Sequence, residues 1–196
     1  MIQDVDGKEV QYTMTVFPGT TVEVSELVKG SSKILFDGLF AAGGITLSQI
    51  SAMTGLEPYM IQNWVKRGFI TSPVKRLYSR EQFAGIIIIN MLKESLNIDR
   101  ICSLIDVISG PTDSELDDLI RNNELYHMYV DMLSDTLLSV DSSESIERAA
   151  RCATEHYDER IPGGREKLVK ILTVMFYAHS ASLLRRRAEE SLSSLQ

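Results

Sequence analysis

The stretch that begins at Thr46 constrains the fold more than any other part of the chain, because helix starts and helix ends follow one another closely in it. Thr46 is followed by Gln49, so each side chain can satisfy a free backbone N–H group at a helix start. Gly55 supplies the left-handed turn that ends this helix, and Pro58 suits the first turn of the next helix, which Gly68 ends. The pattern predicts two helices joined by a tight turn.

The second of these helices has an apolar side and a polar side. Ile61, Trp64 and Val65 recur at helical spacing and are predicted to face inward. The residues that the same spacing turns outward are Tyr59, Gln62, Asn63, Lys66 and Arg67. Amides and cations of this kind bind base edges and phosphates, so this side is predicted to meet the major groove of DNA.

A short basic segment follows the second helix. Residues 69–71 and 76–78 are predicted to pair as a two-stranded ribbon, which would present Lys75, Arg76 and Tyr78 to DNA. A helix, a turn, a helix and a ribbon follow in the order of a winged helix-turn-helix. The sequence therefore predicts a small β-hairpin wing beside a DNA-reading helix.

A buried helix is predicted after the ribbon. Ser79 with Gln82 repeats the capping-box pattern, so residues 80–95 are expected to be helical. Their four consecutive isoleucines favour a strand intrinsically, but the cap, the length and the polar ends favour the helix. A further helix is predicted over residues 98–108.

The fold class predicted for the whole chain is mainly α, with a helical domain after the winged region. Alternation at Val10, Tyr12, Met14 and Val16 predicts a short strand, and residues 33–42 a short helix. The C-terminal helices are expected from a Thr112–Glu115 cap to about Val140, from an Asp141–Glu144 cap to near Tyr157, and after Gly163-Gly164. The predicted domains are residues 1–43, 44–110 and 111–196.

The distribution of charge agrees with a DNA-binding segment in an acidic protein. The net charge of the 196-residue chain is -7, yet residues 44–110 have a net charge of +2. No acidic residue lies between Pro58 and Arg80, where five cations occur. A local basic surface of this kind is typical of a small DNA-binding module, although a solvated charged face gives the same pattern.

The segments MIQNWVKRGFI and RLYSREQF resemble the winged helix-turn-helix domain of the MerR superfamily. YMIQNWVKRGFI and the isoleucine-rich helix are more similar still to an uncharacterised bacterial family, domain of unknown function 1836. The resemblance to the MerR domain covers about residues 44–108. The resemblance implies Gln62, Asn63 and Lys66 near bases, and Arg67, Lys75 and Arg76 near the DNA backbone. It also implies a homodimer, since MerR-type regulators read palindromic sites as dimers.

The chain departs from the MerR pattern at two positions, and this leaves alternatives open. Typical members have an arginine and an aromatic residue where this chain has Gln62 and Asn63. Glutamine and asparagine can bond an adenine edge in two places, so a changed specificity is one reading. The others are a protein-interaction module that no longer reads DNA, and a small-molecule sensor. The aromatic residues considered for a sensor pocket, with core packing as the alternative, are Tyr126, Tyr129, Tyr157, Phe176 and Tyr177.

Several classes of protein are not expected. No phosphate loop, nucleophile elbow or zinc-protease motif is present in the sequence, so we predict no enzyme and no cofactor. Cys152 lies one helical turn before His156, but a single pair is not a metal site. The longest apolar run, residues 86–89, is too short to cross a membrane, and no secretory signal is visible at the N-terminus. A cytoplasmic location is therefore predicted.

Overall fold

A computed structural model describes residues 15–109, 118–136 and 143–195. In this part of the chain the protein is mainly helical. The strands are β1 (Thr15–Val16), β2 (Glu23–Val24), β3 (Ile45–Thr46) and β4 (Leu77–Tyr78). The helices are α1 (Ser31–Leu39), α2 (Leu47–Thr54), α3 (Pro58–Lys66), α4 (Arg80–Leu92), α5 (Ile98–Ser109), α6 (Asn122–Thr136), α7 (Ser143–Ala153) and α8 (Gly164–Ser193).

Helices α2 and α3 form where the sequence places them. Both bonds of the first capping box are present: Gln49 N donates to Thr46 Oγ1 at 3.4 Å, and Thr46 N donates to Gln49 Oε1 at 2.8 Å. Gly55 ends α2 with a positive φ of 68°, and Pro58 is the first residue of α3. Ile61 and Trp64 are buried, as their spacing predicts.

The predicted ribbon between residues 69–71 and 76–78 is wrong. Strand β4 pairs instead with β3, with Tyr78 opposite Ile45 and Leu77 opposite Thr46. The amides of Phe69 and Ile70 are unavailable to a ribbon, because both donate to the carbonyl of Trp64 at the end of α3. A two-residue hairpin remains, in which Val74 bridges Leu77.

The isoleucine-rich segment forms the central helix, α4. Its capping box is also complete, since Gln82 N donates to Ser79 Oγ and Ser79 N donates to Gln82 Oε1. All four isoleucines are buried, so α4 has apolar contacts all round. It packs against α2, α5, α6 and α8. The helix ends at Leu92, a few residues before the predicted end.

The C-terminal helices differ from prediction mainly in where they begin. Residues 118–121 precede α6 and are not helical, so a helix continuous from Thr112 is wrong in this part. The carboxylate of Glu81 in α4 caps the start of α6. It accepts hydrogen bonds from Asn122 N at 2.9 Å and from Asn123 N at 3.2 Å. Residues that lie outside the described part are Val10, Tyr12, Met14, the cap at Thr112 and Glu115, and Asp141.

One cluster of buried apolar side chains extends from Phe17 to Ala178. Helix α6 packs on α1, α4 and α7, so the helices on both sides of residue 110 share this core. Asn90 ties the N-terminal loop to it, since its Nδ2 donates to the carbonyls of Gly19 and Thr54. The division into residues 1–43, 44–110 and 111–196 stays a prediction.

Helix α8, of 30 residues, is the longest element of the described residues. By length and composition it is apolar enough to cross a membrane, and 39% of the window concerned is buried inside the protein. The core helix of a globular protein has the same composition, and Leu168, Leu172 and Met175 are fully buried.

Candidate nucleic-acid interface

Seven of the eight predicted site residues are exposed. Tyr59, Gln62, Asn63 and Lys66 lie on one side of α3, at the three- and four-residue spacing that places side chains on one helical face. Tyr59 is 60% exposed although it is aromatic. Arg67 caps the end of α3, and its guanidinium carbon lies 4.5 Å from the centroid of the Phe69 ring.

The hairpin of residues 74–77 carries Lys75 and Arg76 at its tip. Their φ angles are 51° and 65°, the positive values that a type I′ hairpin turn requires at its two central residues. Asn, Asp and Gly usually occupy these positions, because longer side chains are strained there. Val74 N donates to Leu77 O at 3.1 Å, and Leu77 N donates to Val74 O at 2.9 Å. The closed turn directs two exposed cations into solvent.

Tyr78 does not lie on the surface, and its predicted exposure is wrong. It is 4% exposed, and burial raises the pKa of its phenol. Its backbone is paired with Ile45 of β3, and side chains alternate across a strand, so Tyr78 points inward while Leu77 is 41% exposed.

The exposed side of α3 and the hairpin border one cleft of about 360 Å³. It is lined by Leu47, Gln62, Val65, Pro73, Arg76 and Tyr78. Gln62 and Arg76, which the sequence assigned to two separate elements, therefore line the same depression. We call Tyr59, Gln62, Asn63, Lys66, Arg67, Lys75 and Arg76 together the basic surface.

Gln82 holds the loop that leads to the hairpin, and sequence reasoning gave it only a capping role. Its Nε2 donates to the carbonyl oxygens of Thr71 and Ser72, each at 2.9 Å. Its Oε1 accepts from Ser79 N on the other side of the hairpin. The Gln82 side chain thus bonds the chain both before and after the hairpin that carries Lys75 and Arg76.

The cations of the basic surface have no carboxylate partner among the described residues, whereas Arg80 does. Arg80 Nη1 lies 2.6 Å from Asp37 Oδ1, so its charge is neutralised. Within residues 15–109, 118–136 and 143–195, no ion pair involves Lys66, Arg67, Lys75 or Arg76. Burial and Asp106 raise the pKa of the Cys102 thiol, whereas Arg67 lowers it. Arg67 therefore lies where the basic surface approaches α5, the helix that contains Cys102.

The aromatic residues considered for a small-molecule pocket do not converge. Tyr126 and Tyr129 are fully buried, and their hydroxyls bond Pro18 O and His179 Nδ1 respectively. Tyr177 is 46% exposed. Tyr157 alone of the five lines a polar groove of about 410 Å³ between α1, α6 and the end of α7, together with His127, His156 and Cys152.

Two histidines have lowered pKa values because the protein shields them from solvent: His127 is buried and His179 is half-buried. His127 Nδ1 lies 2.9 Å from Ser32 Oγ, and burial lowers the pKa of His127 to about 4. Burial likewise lowers the pKa of His179 to about 4 beside Tyr129. Both belong to the helical core, and neither borders the basic surface.

Comparison with known proteins bears on the part of the chain that carries this surface. No curated protein and no solved structure matches the chain. A family profile matches from the start of β3 into α6, so the matched segment contains the whole basic surface, α4 and the Glu81 contact to α6. The profile is that of the family described as Domain of unknown function (DUF1836), and it matches residues 44–129. The match confirms the predicted resemblance to this family.

Proposed function

We propose that this protein is a DNA-binding transcriptional regulator, in which α3 lies in the major groove and the hairpin tip contacts phosphate. The observation that carries the proposal is the cleft shared by Gln62 of α3 and Arg76 of the hairpin. Arg76 lines this cleft, and Lys66 follows Gln62 by one helical turn. Among the described residues these two cations, Arg67 and Lys75 have no carboxylate partner. Clustered, unneutralised cations on one side of an acidic protein attract a polyanion.

The proposed recognition helix is α3. Its nine residues are about 13 Å long, and a major groove about 12 Å wide admits a helix. Gln62 and Asn63 each have a carboxamide that bonds an adenine edge in two places. Lys66 follows one turn later and would meet phosphate or a guanine.

The hairpin acts as a short wing in this proposal. Lys75 and Arg76 hold strained backbone angles, and strain of this kind collects at ligand-binding sites. The order α2, turn, α3, hairpin supports a MerR-like winged helix-turn-helix, with β3 and β4 in place of the predicted ribbon. The wing is shorter than predicted but carries its charge at the tip.

The proposal is tested by charge reversal on the basic surface. The protein is first used to select sites from random duplex DNA at low ionic strength, and fluorescence anisotropy then gives affinities across salt concentrations. Lys66→Glu with Arg67→Glu should abolish binding, because attraction to phosphate becomes repulsion. Loss of two phosphate contacts alone would lower the salt slope by about 2.

The matched control is Lys167→Glu with Lys170→Glu, which changes net charge equally at two exposed positions near the start of α8, outside both the basic surface and the polar groove. This variant should retain most of its affinity. If the wild-type protein shows no salt-dependent binding to any duplex, or if both double variants lose affinity equally, the proposed surface is wrong.

A protein-interaction module is the second candidate function. The observation in its favour is exposed apolar area beside the cations: Tyr59 is 60%, Val74 73% and Leu77 41% exposed. Under this alternative, Tyr59→Ser with Val74→Ser should abolish partner capture in a pull-down. Lys66→Glu with Arg67→Glu should leave capture intact, which is the opposite of its effect on DNA binding.

A small-molecule effector would belong in the groove lined by His127, His156 and Tyr157. Lys29, Lys33, Asp131 and Asp135 also line it, so a ligand with both charges would suit the groove best. A thermal-shift screen of amino acids and other zwitterions tests this proposal. Absence of any stabilising compound would remove the support for an effector.

A further inference from the structure

The cleft between α3 and the hairpin is mostly apolar, although residues of the basic surface border it. Leu47 of α2, Val65 of α3 and Pro73 of the following loop line it together with Tyr78. The first three are half-buried, so part of each side chain stays open to solvent. A phosphate backbone requires only donors and cations. The apolar lining therefore indicates a ligand that also has an apolar part.

Tyr78 brings a hydroxyl without a partner to this cleft. Its side chain is 4% exposed, yet the hydroxyl bonds no other residue in the described part of the chain, and its oxygen is not sealed from solvent. The hydroxyls of Tyr126 and Tyr129, by contrast, bond Pro18 O and His179 Nδ1. A buried tyrosine hydroxyl normally has such a partner. The Tyr78 hydroxyl therefore indicates a ligand with a hydrogen-bonding atom beside its apolar part.

We propose that this cleft recognises a thymine of the bound duplex, an inference that rests on the proposed DNA-binding function. In the major groove thymine presents a 5-methyl group and the O4 acceptor, which are carried by adjacent ring atoms. The methyl group contacts Leu47, Val65 and Pro73. The Tyr78 hydroxyl donates to O4. Guanine, adenine and cytosine present hydrogen-bonding atoms in the major groove but no methyl group, so the combination belongs to thymine alone.

Gln62 and Arg76 complete the cleft on its polar side. Arg76 is the one charged residue of the six that line it, and it has no carboxylate partner in the part of the chain that the structure describes. Its guanidinium can therefore bond the phosphate of the same nucleotide. Gln62 can bond N6 and N7 of the adenine that pairs with the thymine. With about 360 Å³, the cleft has room for a deoxyribose and the edge of a base, not only for a methyl group.

Chemically modified duplexes test the proposal without any change to the protein. A site is first selected from random duplex DNA, and each of its thymines is replaced in turn by deoxyuridine, which lacks only the 5-methyl group. At one thymine for each bound copy of the chain, the replacement should raise the dissociation constant about fourfold, because one methyl group loses its apolar contact. The salt slope should not change, since the methyl group is uncharged.

The matched control exchanges the base pair at the same position. A cytosine·guanine pair there should bind more weakly than the thymine·adenine pair. Replacement of that cytosine by 5-methylcytosine should recover affinity by about fourfold, because it restores the methyl group alone. Methylation of a cytosine elsewhere in the site should have no such effect.

Single substitutions then assign the two contacts to the cleft. Tyr78→Phe removes only the hydroxyl and should raise the dissociation constant for the selected site about fivefold, with no change in non-specific affinity. Val65→Thr keeps the shape of the side chain but adds a hydroxyl, and it should reduce the loss caused by deoxyuridine to less than about twofold. Pro73→Ser provides the same test if Val65→Thr lowers the melting temperature. The control Tyr177→Phe changes a tyrosine of α8 that is 46% exposed and should bind like the wild-type protein.

The outcomes separate this inference from the proposed function. Salt-dependent binding that tolerates deoxyuridine at every thymine would overturn the recognition of thymine and leave the DNA-binding function intact. Absence of salt-dependent binding to any duplex would overturn both. If Tyr78→Phe abolishes capture of a protein partner but leaves DNA affinity unchanged, the cleft belongs to that partner and the inference is wrong.

Discussion

The helical core and the basic surface differ in two respects: whether their polar side chains have partners within the protein, and which residues adopt a positive φ. In the core, His127 is bonded to Ser32 and His179 to Tyr129, and glycine occupies the left-handed position at Gly19. On the basic surface, Lys75 and Arg76 hold left-handed angles without being glycine, and the described residues offer them no carboxylate. Local preferences agree with the structure in the core and conflict with it at the hairpin.

The helix starts show the same contrast. Helices α2 and α4 each begin with a complete capping box, whereas Glu57 makes no side-chain bond to the start of α3. Such conflicts are expected where a surface must meet a ligand, because selection for binding opposes selection for stability. The contrast supports, by a route independent of the charges, the choice of α3 and the hairpin as the binding surface.

The largest expected effect is that acid destabilises the folded protein through two histidines of the core. Burial lowers the pKa of His127 and of His179 to about 4, while the unfolded histidines titrate near 6.5. The unfolded state therefore binds more protons between these values, and stability is lost as pH falls from about 6.5 to 4. The slope is at most roughly 1.4 kcal/mol per pH unit for each histidine. Urea denaturation at several pH values measures it.

The control for the pH dependence is a double variant with His127→Gln and His179→Gln. This variant should be less stable at neutral pH but should lose most of the slope between pH 6.5 and 4. A wild-type stability that stays constant over this interval would contradict the lowered pKa values of both histidines.

Gly19→Ala should be the most damaging change at a left-handed position. An added Cβ would lie 2.2 Å from the carbonyl oxygen of Ile87 in α4, and φ at this position is +73°. The steric and backbone costs together should lower the free energy of unfolding by about 3 kcal/mol or more. Gly68→Ala is the matched control, since φ is +80° but no atom lies within 4 Å. It should cost only about 1 kcal/mol, and equal melting temperatures for the two variants would contradict the close approach.

Lys75→Asn with Arg76→Gly should raise stability while weakening DNA binding. Asparagine and glycine adopt the required positive φ readily, so the free energy of unfolding should increase by about 1 kcal/mol. The same substitutions remove the two cations that the proposed function assigns to phosphate. Thermal melts and anisotropy on one preparation measure both effects.

The control for the hairpin is Lys75→Gln with Arg76→Gln, which removes the charges but keeps the strain. It should lose the same DNA affinity without a gain in stability. If the Asn-Gly variant is less stable than the wild-type protein, the hairpin tip is not strained and the comparison with the core fails at this point.

Much of the α2–α4 region could be predicted because its signals are local. Capping boxes and helix-ending glycines act within four residues, and helical spacing identified Ile61 and Trp64 as buried and Lys66 as exposed. The pairing of β4 could not be predicted, because β3 has only two residues and gives no alternating pattern. For the same reason, the sequence pattern predicted an exposed Tyr78, whereas the structure buries it.

The start of α6 illustrates a longer-range cause. The sequence pattern favours an earlier start, but the helix begins at Asn122, where its free amides meet the carboxylate of Glu81 from α4. This contact spans 41 residues. Helix propensity and capping rules concern neighbours along the chain, so they do not detect a cap that another helix supplies.

The adjacent positions of Glu81 and Gln82 have a consequence for how the molecule opens. Glu81 holds the first amides of α6, and Gln82, the next residue, holds the loop before the hairpin. Fraying of the first turn of α4 releases both attachments at once, so the amides of Asn122 and Leu77 belong to one unit of local opening and should exchange their protons with solvent together.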